Sequence, residues 1–151
     1  YFENNLVQPG KAVVCGERVD LLKLDIPFVT YGAREDHIVP IGVEGGGAYA
    51  TTQHLPGMKR FVMGASGHIA GVINPPAKNK RSHWTRDDGK LPAPQAGWVA
   101  GAQEHPGSWG TDWAAWLKPL AGKQIAAPKT YGHGTYKAIE PAPGRYVLQK
   151  A

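Results

Sequence analysis

Cysteine is nearly absent. Cys15 stands alone in 151 residues, which excludes an internal disulfide and any cysteine-based zinc cluster. No apolar run approaches the roughly 18 residues that would span a bilayer as a helix. The opening Tyr1-Phe2-Glu3-Asn4-Asn5 has neither the basic nor the apolar region of a secretory signal. It also lacks an initiator Met, which suggests a processed or excised piece. No P-loop, dinucleotide fingerprint or His-Glu-x-x-His motif occurs, so phosphate-loop, dinucleotide and zinc-hydrolase chemistry have no anchor. A metal site is not expected. No serine or cysteine sits in a Gly-x-Ser-x-Gly elbow; Gly64-Ala65-Ser66-Gly67-His68 fails at its fifth position, and Ser66 reads as a loop residue. Cys15 lacks the glycine two residues before it and reads as a small buried hydrophobe.

What the chain has in excess is glycine and proline. Twenty glycines and thirteen prolines mark it as rich in turns, against an average of about 12% for the pair. Charge is uneven. Residues 1–69 carry six Lys and Arg against seven Asp and Glu, whereas residues 70–151 carry eleven against five. Nine of the prolines also lie in this second, basic part. A basic half invites an anionic partner, and it also describes an ordinary solvated face.

The order of elements is informative. Residues 11–22 read as a short hairpin. Residues 24–32 (Leu-Asp-Ile-Pro-Phe-Val-Thr-Tyr-Gly) read as a buried strand, with Pro27 tolerable only near its start. A helix is expected over 48–55, between Gly45-Gly46-Gly47 and Pro56-Gly57, and a second buried strand over Lys59–Gly64. Strand, loop, helix, strand is a βαβ unit, hence a parallel pair. After Gly71, residues 78–86 read as a basic loop. Short helices are expected over 95–104 and 108–119, the second with Trp109, Trp113 and Trp116 on one face, as core or interface. Residues 120–151 read as an extended arm. The predicted division is 1–69, carrying the strands, and 70–151, a Pro/Gly/Trp-rich extension packing on them. Two or three buried-type strands would leave a hydrophobic edge unpaired.

Functional groups gather where parallel strands end. Asp36 follows the first strand and His68 the second, so both loops should open on one edge. Acid before histidine is the order of the last two members of an α/β-hydrolase triad. A histidine there takes a proton from a nucleophile, and a carboxylate orients it. Each has a plain alternative: Asp36 can cap a turn, and His68 can be merely solvated. Their joint placement favours the catalytic reading. His37 is the neighbouring candidate, read as a pocket-lining residue.

Two segments carry a specific resemblance: Gly32-Ala33-Arg34-Glu35-Asp36-His37-Ile38-Val39-Pro40 and Gly64-Ala65-Ser66-Gly67-His68-Ile69-Ala70-Gly71-Val72-Ile73-Asn74-Pro75-Pro76. They resemble the acid and histidine segments of class I polyhydroxyalkanoate synthases. The opening Tyr1-Phe2-Glu3-Asn4-Asn5-Leu6, the stretch Lys80-Arg81-Ser82-His83-Trp84-Thr85 and the run Ala142-Pro143-Gly144-Arg145-Tyr146-Val147 resemble that family's C-terminal third. Two stretches depart from it, Ile41–Gly47 and Gly110-Thr111. The resemblance implies the last strands of an α/β-hydrolase fold with a loop-rich extension. It implies polymerisation of (R)-3-hydroxyacyl-CoA with release of CoA, without a cofactor of the enzyme's own. His68 would be the base for a cysteine lying upstream of this chain, and Asp36 the carboxylate that activates the incoming 3-hydroxyl. Lys78, Lys80, Arg81 and Arg86 could meet CoA phosphates. Implied partners are the rest of the catalytic domain, the acyl-CoA, the growing polyester with its granule, and a second copy of the parent; nucleic acid is not among them. The implied location is the cytoplasm, at granules. Alone, the chain is expected to be inactive. Another α/β-hydrolase, such as an esterase or depolymerase, and a non-catalytic granule- or partner-binding module are the competing readings.

Overall fold

The computed structural model describes residues 3–42 and 47–150. The start of the opening motif, Tyr1-Phe2, and most of the departure at Ile41–Gly47 lie outside the described residues. The chain divides into two compact units, Tyr1–Leu120 and Ala121–Ala151.

The first unit opens with a hairpin of β1 (Val13–Val14) and β2 (Glu17–Arg18). Its two turn residues, Cys15 and Gly16, both have positive φ, 50° and 85°. A two-residue turn of this type needs the left-handed region at both central positions. That requirement places Cys15 at the tip, where it is exposed, so the expected buried role is corrected.

β3 (Phe28–Ala33) and β4 (Lys59–Gly64) run parallel in unbroken register from Phe28 beside Lys59 to Ala33 beside Gly64. Between them lies α1 (Gly47–His54). The predicted βαβ unit is therefore present. β3 begins at Phe28 rather than Leu24, because Pro27 has no N–H for a ladder; Leu24 and Ile26 are exposed.

The sheet then continues beyond residue 69. β5 (Ser82–Thr85) pairs antiparallel with β4, and β6 (Gln103–Pro106) pairs antiparallel with β5, giving the order β3-β4-β5-β6. Residues 82–85 had read as part of a basic loop. The predicted helix over 95–104 is only α2 (Gln95–Ala100): Gly101 ends it, and the chain turns into β6. The last helix, α3 (Trp109–Leu117), lies where expected, its N-terminus capped by Ser108, whose Oγ accepts the Gly110 N–H at 3.0 Å.

Alternation along β3 and β4 sends side chains to two faces. One face holds the core: Phe61 and Met63 pack with Ile41, Tyr49 from α1 and Trp98 from α2. Phe61 meets Tyr49 edge-on at 5.0 Å and Trp98 edge-on at 4.8 Å. Fully burying each such ring is worth about 1.5–3 kcal/mol. The other face is covered by α3. Trp109 lies 4.7 Å from the Tyr31 ring, and Arg60 pairs with Asp112 at 2.5 Å. The tryptophan face of α3 is thus partly core; Trp113 remains 42% exposed.

The second unit carries a minimal hairpin, β7 (Gly132–His133) with β8 (Tyr136–Lys137), and little other regular structure. Its Arg145 pairs with Glu140 at 2.9 Å.

Candidate active site

The loops after β3 and β4 are sewn together by their own backbones. Arg34 N–H donates to the Gly64 carbonyl at 2.8 Å, and Glu35 N–H to the Ser66 carbonyl at 3.0 Å. Ser66 holds φ at 73°, a conformation that L side chains rarely adopt and one that persists where surrounding contacts impose it. The turn aims its carbonyl at the first loop and delivers His68 two residues later. Gly71 closes the loop, its N–H donating to the Gly67 carbonyl at 3.0 Å.

Asp36 occupies the centre of the first loop. Its Oδ1 accepts the N–H groups of Ile38 and Val39, each at 2.9 Å. Its Oδ2 lies 3.1 Å from His68 Nδ1. The turn-capping role and the histidine partnership are both fulfilled, one by each oxygen. The Asp36 side chain is only 9% exposed, whereas that of His68 is 43% exposed. The Val39 N–H, then the His68 and Ile38 contacts, hold the Asp36 carboxyl below its ordinary value, against the opposing effect of desolvation. An ionised carboxylate only accepts, so the proton between the two residues sits on Nδ1. Nε2 then carries the free lone pair, the arrangement a general base requires.

The other candidates are not all brought together. His37 is exposed beside Asp36 and makes no side-chain hydrogen bond among the described residues. Lys78, Lys80 and Arg81 precede β5 and are exposed. Because β5 is antiparallel to β4, its start lies on the same edge as Asp36 and His68, and its end lies on the opposite edge. Arg86 therefore leaves the cluster. It is bound through Nε and Nη2 to Asp88, at 2.8 and 2.5 Å, and donates from Nη1 to the Gly97 carbonyl at 2.8 Å. This fork holds the Asp88 carboxyl down at about 2 and raises the guanidinium further.

Three residues near the site escaped the sequence reading. Arg34 lies over Trp84 at 4.7 Å from the ring centroid, fixing the end of β3 against β5. Tyr31 places its hydroxyl against Gly64, where no side chain fits, and that buried oxygen has no partner. Burial pushes the phenol up to about 12, with Arg81 opposing. Gly71 packs directly on the carbonyls of Ala65 and Gly67. Only strand assignment of residues 82–85 would have exposed the first of these contacts. Among the described residues, no three His, Cys, Asp or Glu side chains converge as a metal site would need.

Fold and site together define an α/β chain that presents an acid–histidine pair at the carboxyl edge of two parallel strands. Comparison with known proteins then finds its sequence similar to the C-terminal part of poly(3-hydroxyalkanoate) polymerases. It is 60% identical to the poly(3-hydroxyalkanoate) polymerase subunit PhaC of Cupriavidus necator, over all of this chain and 25% of that protein. It is 37% identical to the corresponding subunit of Rhizobium etli over 99% of the chain and 22% of the relative. To poly(3-hydroxyalkanoate) polymerase 2 of Ectopseudomonas oleovorans it is 34% identical, over 97% of the chain and 25% of the relative. The chain thus spans about a quarter of the length of the curated relatives it matches. No family model matches it.

Proposed function

We propose that this chain is the C-terminal part of an α/β-hydrolase-type catalytic domain in a class I polyhydroxyalkanoate synthase. The parent would polymerise (R)-3-hydroxyacyl-CoA. The observation that carries the reading is the Asp36–His68 pair, with His68 Nε2 left free at the strand ends. Nε2 would take the proton from a cysteine thiol supplied by the rest of the catalytic domain. The thiolate would attack the acyl-CoA thioester carbonyl, and the departing CoA sulfur would leave with that proton. The 3-hydroxyl of another unit would then attack the enzyme-bound thioester, forming the ester bond and breaking the cysteine C–S bond, and the hydroxyl proton would pass through His68 Nε2 to the departing cysteine sulfur. Sulfur and oxygen nucleophiles suffice for these transfers, and the CoA arrives on the substrate, so no cofactor of the enzyme's own is invoked.

Asp36 has two conceivable tasks in this scheme. The family resemblance assigns it to the incoming hydroxyl. Its contacts support work through the ring, since Oδ2 faces His68 and Oδ1 is shared by two backbone N–H groups. Around the pair, Ile38, Val39, Ile69, Val72 and Ile73 are exposed. Such a rim of apolar side chains suits cover by the remainder of the domain and by an acyl chain. The outer edge of β3, unpaired among the described residues, would likewise take another strand. No helix among the described residues is long and apolar enough to cross a membrane. Association of the parent with a polyester granule in the cytoplasm, and its dimerisation, belong to the same proposal.

The decisive experiment uses the full-length parent. His68→Ala should abolish CoA release from 3-hydroxybutyryl-CoA while the protein remains folded. A near-wild-type rate would sink the assignment of His68 as base. Assaying the same parent for ester hydrolysis separates this reading from an esterase or depolymerase, which would use the same acid–histidine order.

A further inference from the structure

β4 runs beside β3 for six residues but meets β5 only at Met63 and Gly64. Past Thr85 the chain turns away, held by the Arg86–Asp88 fork and by the Arg86 bond to the Gly97 carbonyl. The space left between the first half of β4 and the turn at 86–91 is a cavity of about 220 Å³. It lies at the end of the parallel pair opposite Asp36 and His68. Phe61 and Trp98, each 1% exposed, form its floor, and Trp116 of α3 forms a wall.

The charges lining it do not cancel. Lys59, Arg60, Arg86 and Lys90 face a single lining carboxylate, Asp87. Two of these cations have partners outside the lining, Arg86 with Asp88 and Arg60 with Asp112. Lys59 gives one N–H to the Thr52 carbonyl at 2.8 Å and keeps two. Lys90 approaches Asp88 only at 3.9 Å, with its side chain 75% exposed. Arg60 Nε and Asp112 Oδ2 are both buried without a partner, so that ion pair is closed on itself. Two lysine heads against one lining carboxylate call for a single added negative charge. The aromatic floor calls for a flat or apolar body. The volume lies below the roughly 300–1,000 Å³ of sites for drug-sized ligands, so the body is one ring or a short acyl chain.

We infer that this cavity binds a small organic monoanion, an aromatic or short-chain carboxylate. Its carboxylate takes the lysine N–H groups, and its body lies against the aromatic lining of Phe61, Trp98 and Trp116. The inference does not depend on the proposed reaction.

Benzoate is the probe, titrated into the full-length protein by calorimetry and by ligand-observed NMR. Benzyl alcohol supplies the ring without the charge, and acetate the charge without the ring. Benzoate should saturate, and both controls should bind at least about ten-fold more weakly, the effect of losing one charge-assisted bond or one buried ring. The double variant Lys59→Gln/Lys90→Gln should weaken benzoate about ten-fold while leaving the unfolding midpoint in place, and Lys90→Gln alone should give a smaller loss in the same direction. Absence of saturable binding would overturn the inference, including absence because the rest of the protein fills the cavity. So would benzyl alcohol or acetate binding as tightly as benzoate, or benzoate affinity that ignores both lysine variants.

Discussion

Gly71→Ala tests how the His68 loop is held. A Cβ at position 71 would lie 2.8 Å from the Ala65 carbonyl, 2.9 Å from the Gly67 carbonyl and 2.9 Å from Ala33 Cβ, where ordinary contact begins at 3.4 Å. Space of about half an ångström must therefore open. Ala33 ends β3 and is locked in register with Gly64, so it yields least. The two carbonyls belong to the loop that carries His68, and that loop is what moves. A shift of this size takes the 3.1 Å contact between His68 Nδ1 and Asp36 Oδ2 toward roughly 3.6 Å, beyond hydrogen-bond range. Misplacement by about 1 Å can cost a hundred-fold in rate, so half of that predicts a loss between about ten-fold and a hundred-fold. Overpacking of this kind costs about 1–3 kcal/mol, less than the whole stability of an ordinary domain. The full-length variant should thus remain folded yet release CoA from 3-hydroxybutyryl-CoA at one-tenth the normal rate or less, measured well below its unfolding midpoint. Gly97→Ala is the control: its Cβ would meet only the Pro92 ring, at 3.3–3.4 Å, within α2. Unchanged turnover and midpoint in Gly71→Ala, or an equal loss in Gly97→Ala, would refute the reasoning.

Asp36→Asn keeps an oxygen for the Ile38 and Val39 N–H groups but turns an amide donor toward His68 Nδ1. That forces the ring proton onto Nε2, and turnover should fall by about 10²–10⁴ in a protein that stays folded with a modestly lowered unfolding midpoint. Because the Asp36 pKa is lowered in the folded protein, the stability it contributes is complete above 3.8 and disappears only as pH falls through the lowered value; an acid limb of activity above 3.8 that vanishes in Asp36→Asn would contradict this. Tyr31, pushed up to about 12, contributes stability that is intact below pH 10 and lost between 10 and about 12, so ultraviolet titration should show a phenol near 12 that is missing in Tyr31→Phe, while Tyr49, also raised by burial, titrates late in both. That substitution removes a hydroxyl with no partner and should leave the chemical-denaturation midpoint level or raised. Ser108→Ala loses the cap of α3 and should cost about 0.5–2 kcal/mol by the same measurement.

The site was legible in the sequence because both of its side chains hang from the kind of element that sequence reports well. β4 carries the apolar run Phe61-Val62-Met63 behind Lys59-Arg60, and β3 is rich in β-branched and aromatic residues after Pro27. Two such strands with a helix between them dictate a parallel pair, and a parallel pair dictates that Asp36 and His68 leave on one edge. The contact itself follows from bonds that no composition displays, the two loop-to-loop backbone bonds and the left-handed turn at Ser66. β5 and β6 were not legible for a different reason. Ser-His-Trp-Thr and Gln-Glu-His-Pro are short and polar, flanked by Lys80-Arg81 and Arg86-Asp87-Asp88, so no hydrophobic alternation announces them. They are strands because of what they touch. Met63 and Gly64 offer β5 a ladder, Trp84 joins the core under Arg34, and His83 stacks on His105 at 5.4 Å. Tertiary context overrides weak local preference most easily in such short edge segments. The consequence reaches the charge pattern. Lys80 and Arg81 read as one basic cluster with Arg86 only while the segment between them is taken for a loop. Once it is a strand, its length carries Arg86 to the opposite edge, where Asp88 and the Gly97 carbonyl occupy its guanidinium and the cations left there are Lys59, Arg60 and Lys90. One misread strand of four residues therefore separates a single presumed anion-binding patch into two surfaces, one beside Asp36 and His68 and one around the cavity at the other end of β4.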